Sequence, residues 1–400
     1  MAINQHISFL LGAGFSVPMG YPIGNGMNQN FLEFDKYFVD PLDGQIVSSP
    51  TANSPNNHYE MALRFCKKAI LFYYSHNNGF DYELFYDIII RDMAKADKAS
   101  YYQQIAESVV SQSSGTKWFQ LITDFEVIYN RLVAFFLKDD KHRQWYQGDE
   151  LLADDEIEKY QTFFQILSVL SEDHIVHVHT LNHDLVLEAF NETHSNLLRK
   201  SISDGFSVRE SNYGTVYRDQ DVSKTEALEE YTGEYNSDIR LYKLHGSLNY
   251  WKFYNHRNGA EAKPERMLKL KRGESPEDLF RIDPVTKEWV SWPFEYCPSF
   301  LTGTTLKERQ YHEFFFNDLL LRFIENLEKS EMLVVVGYGF KDDGINTIIE
   351  EYFDCEKKKV IVIDPFLNSN ETIKSFVDKW NAVSVEKSIS KINMEDILHV

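Results

Sequence analysis

Short, continuous apolar runs punctuate the chain at HISFLL (6–11), HIVHVH (174–179), RLYKL (240–244), MLVVVG (332–337), KKVIVID (358–364) and AVSVEK (382–387). Several are rich in Val and Ile and lack strict alternation, which predicts strands buried on both faces. Apolar residues at helical spacing occupy 181–194, 308–329, 344–356 and 370–381. Strands alternating with helices predict an α/β fold with a doubly wound, mostly parallel sheet.

Two long stretches do not fit a minimal version of that sheet. From about 20 to 172 the pattern is helical around one polar loop, SSPTANSPNNH (48–58), with aromatic stripes in HYEMALRFCKKAILFYYS, DYELFYDIIIRDMAKA and TDFEVIYNRLVAFFLK. Such stripes are the expected core side of amphipathic helices. This segment is therefore expected to be a largely helical inserted subdomain. From about 195 to 300 polar loops mix with short extended pieces such as WVSWPFEY, a mixed insertion, and 301–400 is expected to return to the sheet.

The chain has 400 residues, 43% of them hydrophobic and 14% aromatic, enough for roughly two to three domains or one large elaborated domain. Its formal charge of −20 opposes nonspecific wrapping of nucleic acid. KPERMLKLKR (263–272) is the dense basic run, best explained as a solvated face. Nucleic acid is expected only indirectly, through a partner. Cys66, Cys297 and Cys355 are far apart and odd in number, so they form neither a disulfide framework nor a Cys-x-x-Cys zinc site. The N-terminal apolar run lacks a basic preceding region and reads as a first strand. No run is long enough to span a membrane, and a reducing, cytoplasmic setting is expected.

Five polar or glycine-rich motifs sit where strands are predicted to end. LLGAGFS (10–16) places Gly12 and Gly14 in a tight turn, with Val17 at the third position of a G-x-G-x-x-G pattern. If a helix began there, its free N–H groups would hold a pyrophosphate, as in a Rossmann-like sheet. HTLNHD (179–184) presents Thr180, Asn182, His183 and Asp184 within five residues. Asn182 could orient a water or ribose hydroxyls. Asp184 could accept from a ribose, or one of the two could cap the next helix. KLHGSLNYW (243–251) leaves His245 at a strand tip before Gly246, a candidate general base. VVVGYGFKDDGIN (334–346) repeats the glycine turn with Gly337 and Gly339, and VIVIDP (360–365) ends in Asp364, which could take ribose hydroxyls or cap a helix. His174, His177, His179 and His183 form a further cluster, but their spacing matches no zinc pattern.

Taken in this order, the five motifs resemble the sirtuin-like superfamily. Gly12-Ala13-Gly14-Phe15-Ser16 is similar to the sirtuin Gly-Ala-Gly-x-Ser turn. Thr180-Leu181-Asn182-His183-Asp184 is similar to its Thr-x-Asn-x-Asp motif, and His245-Gly246 to the pair carrying the catalytic histidine. Gly337-Tyr338-Gly339-Phe340, followed by Asn346, stands where deacylase sirtuins have Gly-Thr-Ser. It resembles bacterial sirtuin-like defence proteins instead. Two departures point the same way. The interval 185–336 holds one cysteine, Cys297, where deacylases carry four on zinc, and VPMGYPIGN (17–25) lacks their Gly-Ile-Pro-x-Phe-Arg loop.

The resemblance implies cleavage of the nicotinamide–ribose bond of NAD+, depleting NAD+ in anti-phage abortive infection. Asn182 and His245 would be catalytic. Gly12, Ala13, Gly14, Ser16, Thr180, Asp184, Gly337, Gly339 and Asp364 would bind NAD, and no zinc is expected. It also implies a homo-oligomer and a partner such as a HerA-type ATPase or an Argonaute-like protein. Rival expectations are an NAD or ADP-ribose sensor, and a deacylase or ADP-ribosyltransferase. A nuclease subunit is a further rival, although no clustered carboxylate motif for two-metal chemistry is visible.

Overall fold

The computed structural model describes residues 5–33, 36–40, 45–49, 58–93, 95–110, 115–138, 151–193, 197–198, 200–208, 215–254, 264–291, 294–295, 297–303 and 314–398. The chain forms two compact units. One comprises 1–21, 141–300 and 310–400, and the other 22–140 with 301–309.

Strands and helices are numbered in chain order. The first unit is built on β1 (Gln5–Leu11), β4 (His174–Thr180), β5 (Ile202–Ser203), β10 (Ile239–Lys243), β15 (Ser330–Val336), β16 (Lys359–Ile363) and β17 (Val383–Val385). They form one sheet in the order β17-β16-β15-β1-β4-β10-β5, and every pairing in it is parallel. The chain winds outward from β1 to β4 and β10, returns to the other side of β1 at β15, and winds outward again. This reversal creates a switch point between β1 and β15, where ligands enter open α/β sheets beyond the carboxyl ends of the strands.

The apolar runs form strands because both faces of the sheet are covered. Phe9, Val176 and Val178 share one face by register. Helix α7 (Asp154–Leu170) lies over it, with the Phe163 ring edge-on to Phe9 at 5.9 Å. His177, His179 and Tyr242 share the other face, against which α9 (Phe314–Lys329) packs through Phe323, 4.8 Å from the His179 ring. Each fully buried Val, Leu or Ile contributes about 1.5–3 kcal/mol of transfer free energy, so the strands hold their register strongly. The other described α-helices of this unit are α8 (Val186–Thr193), α10 (Asp343–Tyr352), α11 (Glu371–Lys379) and α12 (Glu395–Leu398).

The mixed segment also carries two small antiparallel sheets, β11-β12-β9-β6 and β14-β13-β7-β8. Their strands are β6 (Phe206–Val208), β7 (Val216–Arg218), β8 (Thr225–Glu226), β9 (Glu229–Tyr231), β11 (Tyr250–Tyr254), β12 (Pro264–Lys269), β13 (Leu279–Ile282) and β14 (Trp289–Ser291). Val216, Trp251, Phe253, Leu268, Leu270 and Leu279 form their shared core.

The second unit contains α1 (Gly24–Leu32), α2 (His58–His76), α3 (Tyr82–Met93), α4 (Ala96–Glu107), α5 (Trp118–Thr123) and α6 (Phe125–Lys138), with a short ribbon of β2 (Phe38–Val39) and β3 (Ile46–Val47). Its centre is aromatic: Phe31 stacks on Tyr129 at 4.7 Å, and Phe136 meets Phe31 edge-on at 5.0 Å. The helical segment expected over 20–172 is therefore divided differently. α7 belongs to the sheet unit, because Phe163 and Phe164 pack on Phe9, Phe15 and Phe190. The expected return at 301 also shifts. Thr302 donates to Asn130 Oδ1 at 2.7 Å and joins the helical unit, and α9 opens the described part of the return at Phe314.

Candidate active site

The carboxyl ends of β15, β1, β4 and β10 lie side by side, so four of the five motifs converge at one edge of the sheet. At β1 the chain does not enter a helix. It makes two short 3-10 turns, Ala13–Phe15 and Val17–Met19, and Gly20 ends the second with φ +84°. The N–H groups of Gly12 and Gly14 donate to the carbonyls of Val336 and Gly337 at 3.0 and 2.8 Å. Those of Phe15 and Ser16 donate to Gly12 and Ala13. The helix N-terminus expected as a pyrophosphate site is therefore not formed here.

The glycines have a packing reason instead. A Cβ on Gly12 would stand 2.6 Å from the Tyr338 Cα, and one on Gly14 would stand 2.8 Å from the Gly337 Cα. Gly337, at φ +60°, would put a Cβ 2.5 Å from the Gly14 carbonyl carbon. The two turns interlock backbone against backbone. Gly339 differs, because nothing lies within 4 Å of its Cβ direction. Ala13 is exposed, while Gly14 and Gly339 are half-buried.

Beyond β4, the polar cluster is a hydrogen-bonded relay. The Asn182 side-chain amide donates to the Gly12 carbonyl at 2.9 Å and to Ser16 Oγ at 3.0 Å. Ser16 Oγ donates to Asp184 Oδ2 at 2.6 Å. Asp184 Oδ1 accepts from the Val186 N–H at 3.1 Å, so Asp184, not Asn182, serves the start of α8. Thr180 Oγ1 accepts from the Asn182 N–H at 3.1 Å and is almost wholly buried. Both amide hydrogens of Asn182 are thus taken. Its Oδ1 makes no hydrogen bond among the described residues, and Asn182 is half-exposed.

A buried ion pair underlies this relay. Lys243 Nζ lies 2.8 Å from Glu188 Oε1 and also donates to the Asp184 carbonyl. Burial pushes the Glu188 carboxyl up, against the pull of Lys243. Tyr160 on α7 donates to the Phe15 carbonyl at 2.7 Å, and burial holds its phenol in the neutral form. Neither contact was visible in the sequence, because each joins residues far apart in the chain.

Beyond β10, His245 is 4% exposed and is followed by Gly246 at φ +81°. A Cβ on Gly246 would meet the Ser299 carbonyl at 2.3 Å, so glycine is required for the turn to pass the Ser299–Phe300 segment. The His245 ring lies 6.4 Å from that of His183, which in turn packs on Phe300 at 4.8 Å. Its Nε2 lies 3.4 Å from Asp342 Oδ2, an ion-pair approach rather than an aligned hydrogen bond. Asp342 Oδ1 caps α10 by accepting from the Ile345 N–H at 3.1 Å. Sequence reasoning missed Asp342. A helix-capping position three residues past Gly339 was the signal available.

Asp364 ends β16, next to the Gly337 turn, whose N–H donates to the Ile363 carbonyl. Its Oδ1 accepts from the Phe366 N–H at 2.7 Å, and burial pushes its carboxyl up. It caps no helix, since Asn370 serves α11. Asn346 is 4% exposed and holds the Phe340 carbonyl and the Tyr338 hydroxyl, so its role is internal.

The histidine cluster on β4 has neutral partners. His179 donates from Nδ1 to the Phe9 carbonyl at 3.2 Å and accepts from Asn326 at Nε2. His177 contacts His6 at 2.8 Å and the Tyr242 hydroxyl at 3.3 Å. Burial lowers both, His177 to about 2 and His179 to about 3. No group able to hold a metal ion occurs among the described residues. The basic run is also neutralised: Arg266 meets Glu230, Lys269 meets Asp204 and Glu229, Lys271 meets Glu226, and Arg272 approaches Glu192. No helix among the described residues is long and apolar enough to cross a membrane.

No protein-family model and no curated protein matches the sequence. Among solved structures the chain is similar to a Sir2 homologue in complex with NAD, at 11% identity over 98% of this chain and 88% of that chain, with a TM-score of 0.35. A Sir2 enzyme described for its mechanism and regulation gives 11% identity over 99% and 91%, with a TM-score of 0.36. Sir2Tm bound to a propionylated peptide gives 11% over 97% and 90%, with a TM-score of 0.31. At these TM-scores the overlaps carry no weight, and the functional reading rests on the motifs and on the geometry at the strand ends.

Proposed function

We propose that this chain is a sirtuin-like NAD+ glycohydrolase, cleaving the nicotinamide–ribose bond to give nicotinamide and ADP-ribose. The observation that carries this reading is the orientation of Asn182. Gly12 and Ser16 hold its amide hydrogens, Asp184 holds Ser16, and the Oδ1 acceptor of this half-exposed residue makes no hydrogen bond among the described residues.

A neutral acceptor suits the chemistry. As the glycosidic bond breaks, its electron pair leaves with nicotinamide and the ribose gains oxocarbenium character. Asn182 Oδ1 can orient a water or a ribose hydroxyl at that centre without forming an ion pair with it. His245, at the neighbouring strand end, takes the proton released from the water or hydroxyl and returns it to solvent. The open space at Gly339 and the exposed Ala13 leave room for a phosphate-bearing ligand to approach backbone.

The finer biological setting follows from the motif resemblance. In this reading the chain depletes NAD+ in the cytoplasm during abortive infection by phage. It works as a homo-oligomer with a defence-operon partner such as a HerA-type ATPase. The test is NAD+ consumption and nicotinamide release by the purified protein, alone and with the product of its neighbouring gene. Asn182→Ala is expected to lower turnover by about 10²–10⁴-fold with folding intact. NAD+ binding without turnover in every condition would favour a sensor. Consumption only with an acylated peptide would favour a deacylase.

A further inference from the structure

His245 is the proton acceptor of the proposed reaction, and its Nε2 is approached by a carboxylate from the VVVGYGFKDDGIN segment to which that reaction assigns no role. Asp342 Oδ2 stands 3.4 Å away, with the two side chains only 5% and 14% exposed. Desolvated to this degree, a carboxylate acts on an imidazole far more strongly than it would in water. Asp342 is also fixed in place. Its other oxygen caps α10 through the Ile345 N–H.

The backbone leading to Asp342 is unusually constrained. Phe340 has φ +55°, a conformation costing a non-glycine residue about 1–2 kcal/mol. It is held there from both sides. Its ring stacks on Phe376 at 4.7 Å and meets Trp380 edge-on at 5.3 Å. Its carbonyl accepts from Asn346 Nδ2 at 2.9 Å. The single hydrogen of the Tyr338 hydroxyl is shared between Asn346 Oδ1 and the Asp342 carbonyl, both 3.1 Å from the hydroxyl oxygen. Tyr338, Phe340 and Asn346 therefore converge on the position of Asp342.

We propose that Asp342 is a positioning residue for His245, and that the Gly-Tyr-Gly-Phe turn with Asn346 is the scaffold that sets its carboxylate against the imidazole. The carboxylate keeps Nε2 protonated, presents Nδ1 as the proton-accepting nitrogen, and stabilises the imidazolium once the proton arrives. No proton passes to Asp342. Among the described residues, the other titratable groups whose positions near His245 are fixed have different roles. His183 is an imidazole with its ring 6.4 Å away, and Lys243, on the same strand, is paired with Glu188.

The kinetic arm of the test rests on the glycohydrolase reading, so a second arm is independent of it. Asp342→Asn keeps an effective helix cap while removing the charge. With NAD+ as substrate, kcat is expected to fall about 10–100-fold with KM nearly unchanged, and Asp342→Glu to recover part of the loss. Without NAD+, the His245 imidazole titration followed by NMR is expected to reach its midpoint about one pH unit lower in Asp342→Asn than in the wild type. Wild-type kcat in Asp342→Asn, beside an inactive His245→Ala, would overturn the proposal. So would an unmoved His245 midpoint. If the wild type turns over no NAD+ in any condition, the glycohydrolase reading falls, and the NMR midpoint alone decides for or against the pairing.

Discussion

Two groups of histidines on adjacent strands have opposite surroundings. His177 and His179 lie within β4, on a sheet face covered by α9, and meet a carbonyl, an amide, a hydroxyl and another imidazole. His245 lies two residues past the end of β10 and meets a carboxylate, with the half-exposed His183 ring 6.4 Å away. Burial alone does not separate the groups, since His179 is fully buried and His245 nearly so. Position along the strand does. Mid-strand side chains are bounded by a helix and are satisfied by neutral partners. Strand-end side chains meet loops that bring charge.

The largest test of this contrast is a pair of substitutions. His245→Ala is expected to lower NAD+ turnover about 10³-fold while leaving the urea midpoint close to wild type. His179→Ala is expected to reverse the pattern. It empties a packed site and strands Asn326, with a loss of about 2–4 kcal/mol in urea unfolding. If His179→Ala abolished turnover at full stability, position on the strand would not be the deciding variable.

Acid provides the next test. Folded His177 and His179 are held at about 2 and about 3, against an ordinary 6.5, chiefly by burial. The folded state therefore keeps both neutral, whereas the unfolded chain binds protons as pH falls below 6.5. Their stabilising contribution is complete above that pH and is lost on the way down toward the folded values. The expected slope is about 1.4 kcal/mol per pH unit for each histidine. Urea midpoints between pH 7.5 and 5 read it, and replacing both histidines by Gln should flatten it.

The smallest expected effects concern glycine. Gly337→Ala forces a Cβ into the Gly14 backbone at a positive φ and is expected to cost about 2 kcal/mol or more. Gly339→Ala meets open space and should stay within about 0.5 kcal/mol of wild type. Equal losses at the two positions would mean that the turns do not interlock as described.

Much of the sheet was legible because a strand buried on both faces leaves an apolar run, and β15 and β16 are such runs. The strand-end clustering of Asn182, His245 and the glycines was legible for a related reason, since polar residues after a core strand need a purpose. What was not legible depended on contacts between distant segments. The reason for Gly12 lies at Tyr338, the partner of His245 lies at Asp342, and α7 joins the sheet because of Phe9. The eight described strands of the two small antiparallel sheets run to no more than six residues each, too few for periodicity to separate them from loops.

The interlocked glycine turns also bear on how the protein is made. Gly14 and Gly337 are more than 300 residues apart in sequence, yet each occupies the space the other leaves free. A ribosome that has reached residue 300 has already produced Asn182 and His245. The growing chain still lacks β15, which flanks β1, and the turn that seats Gly12 and Gly14. Because Gly12 carries one of the two acceptors that orient Asn182, the turn that positions it gains its backbone partners only once β15 and Gly337 have been made. Translation order thus acts as a timer on completion of that turn.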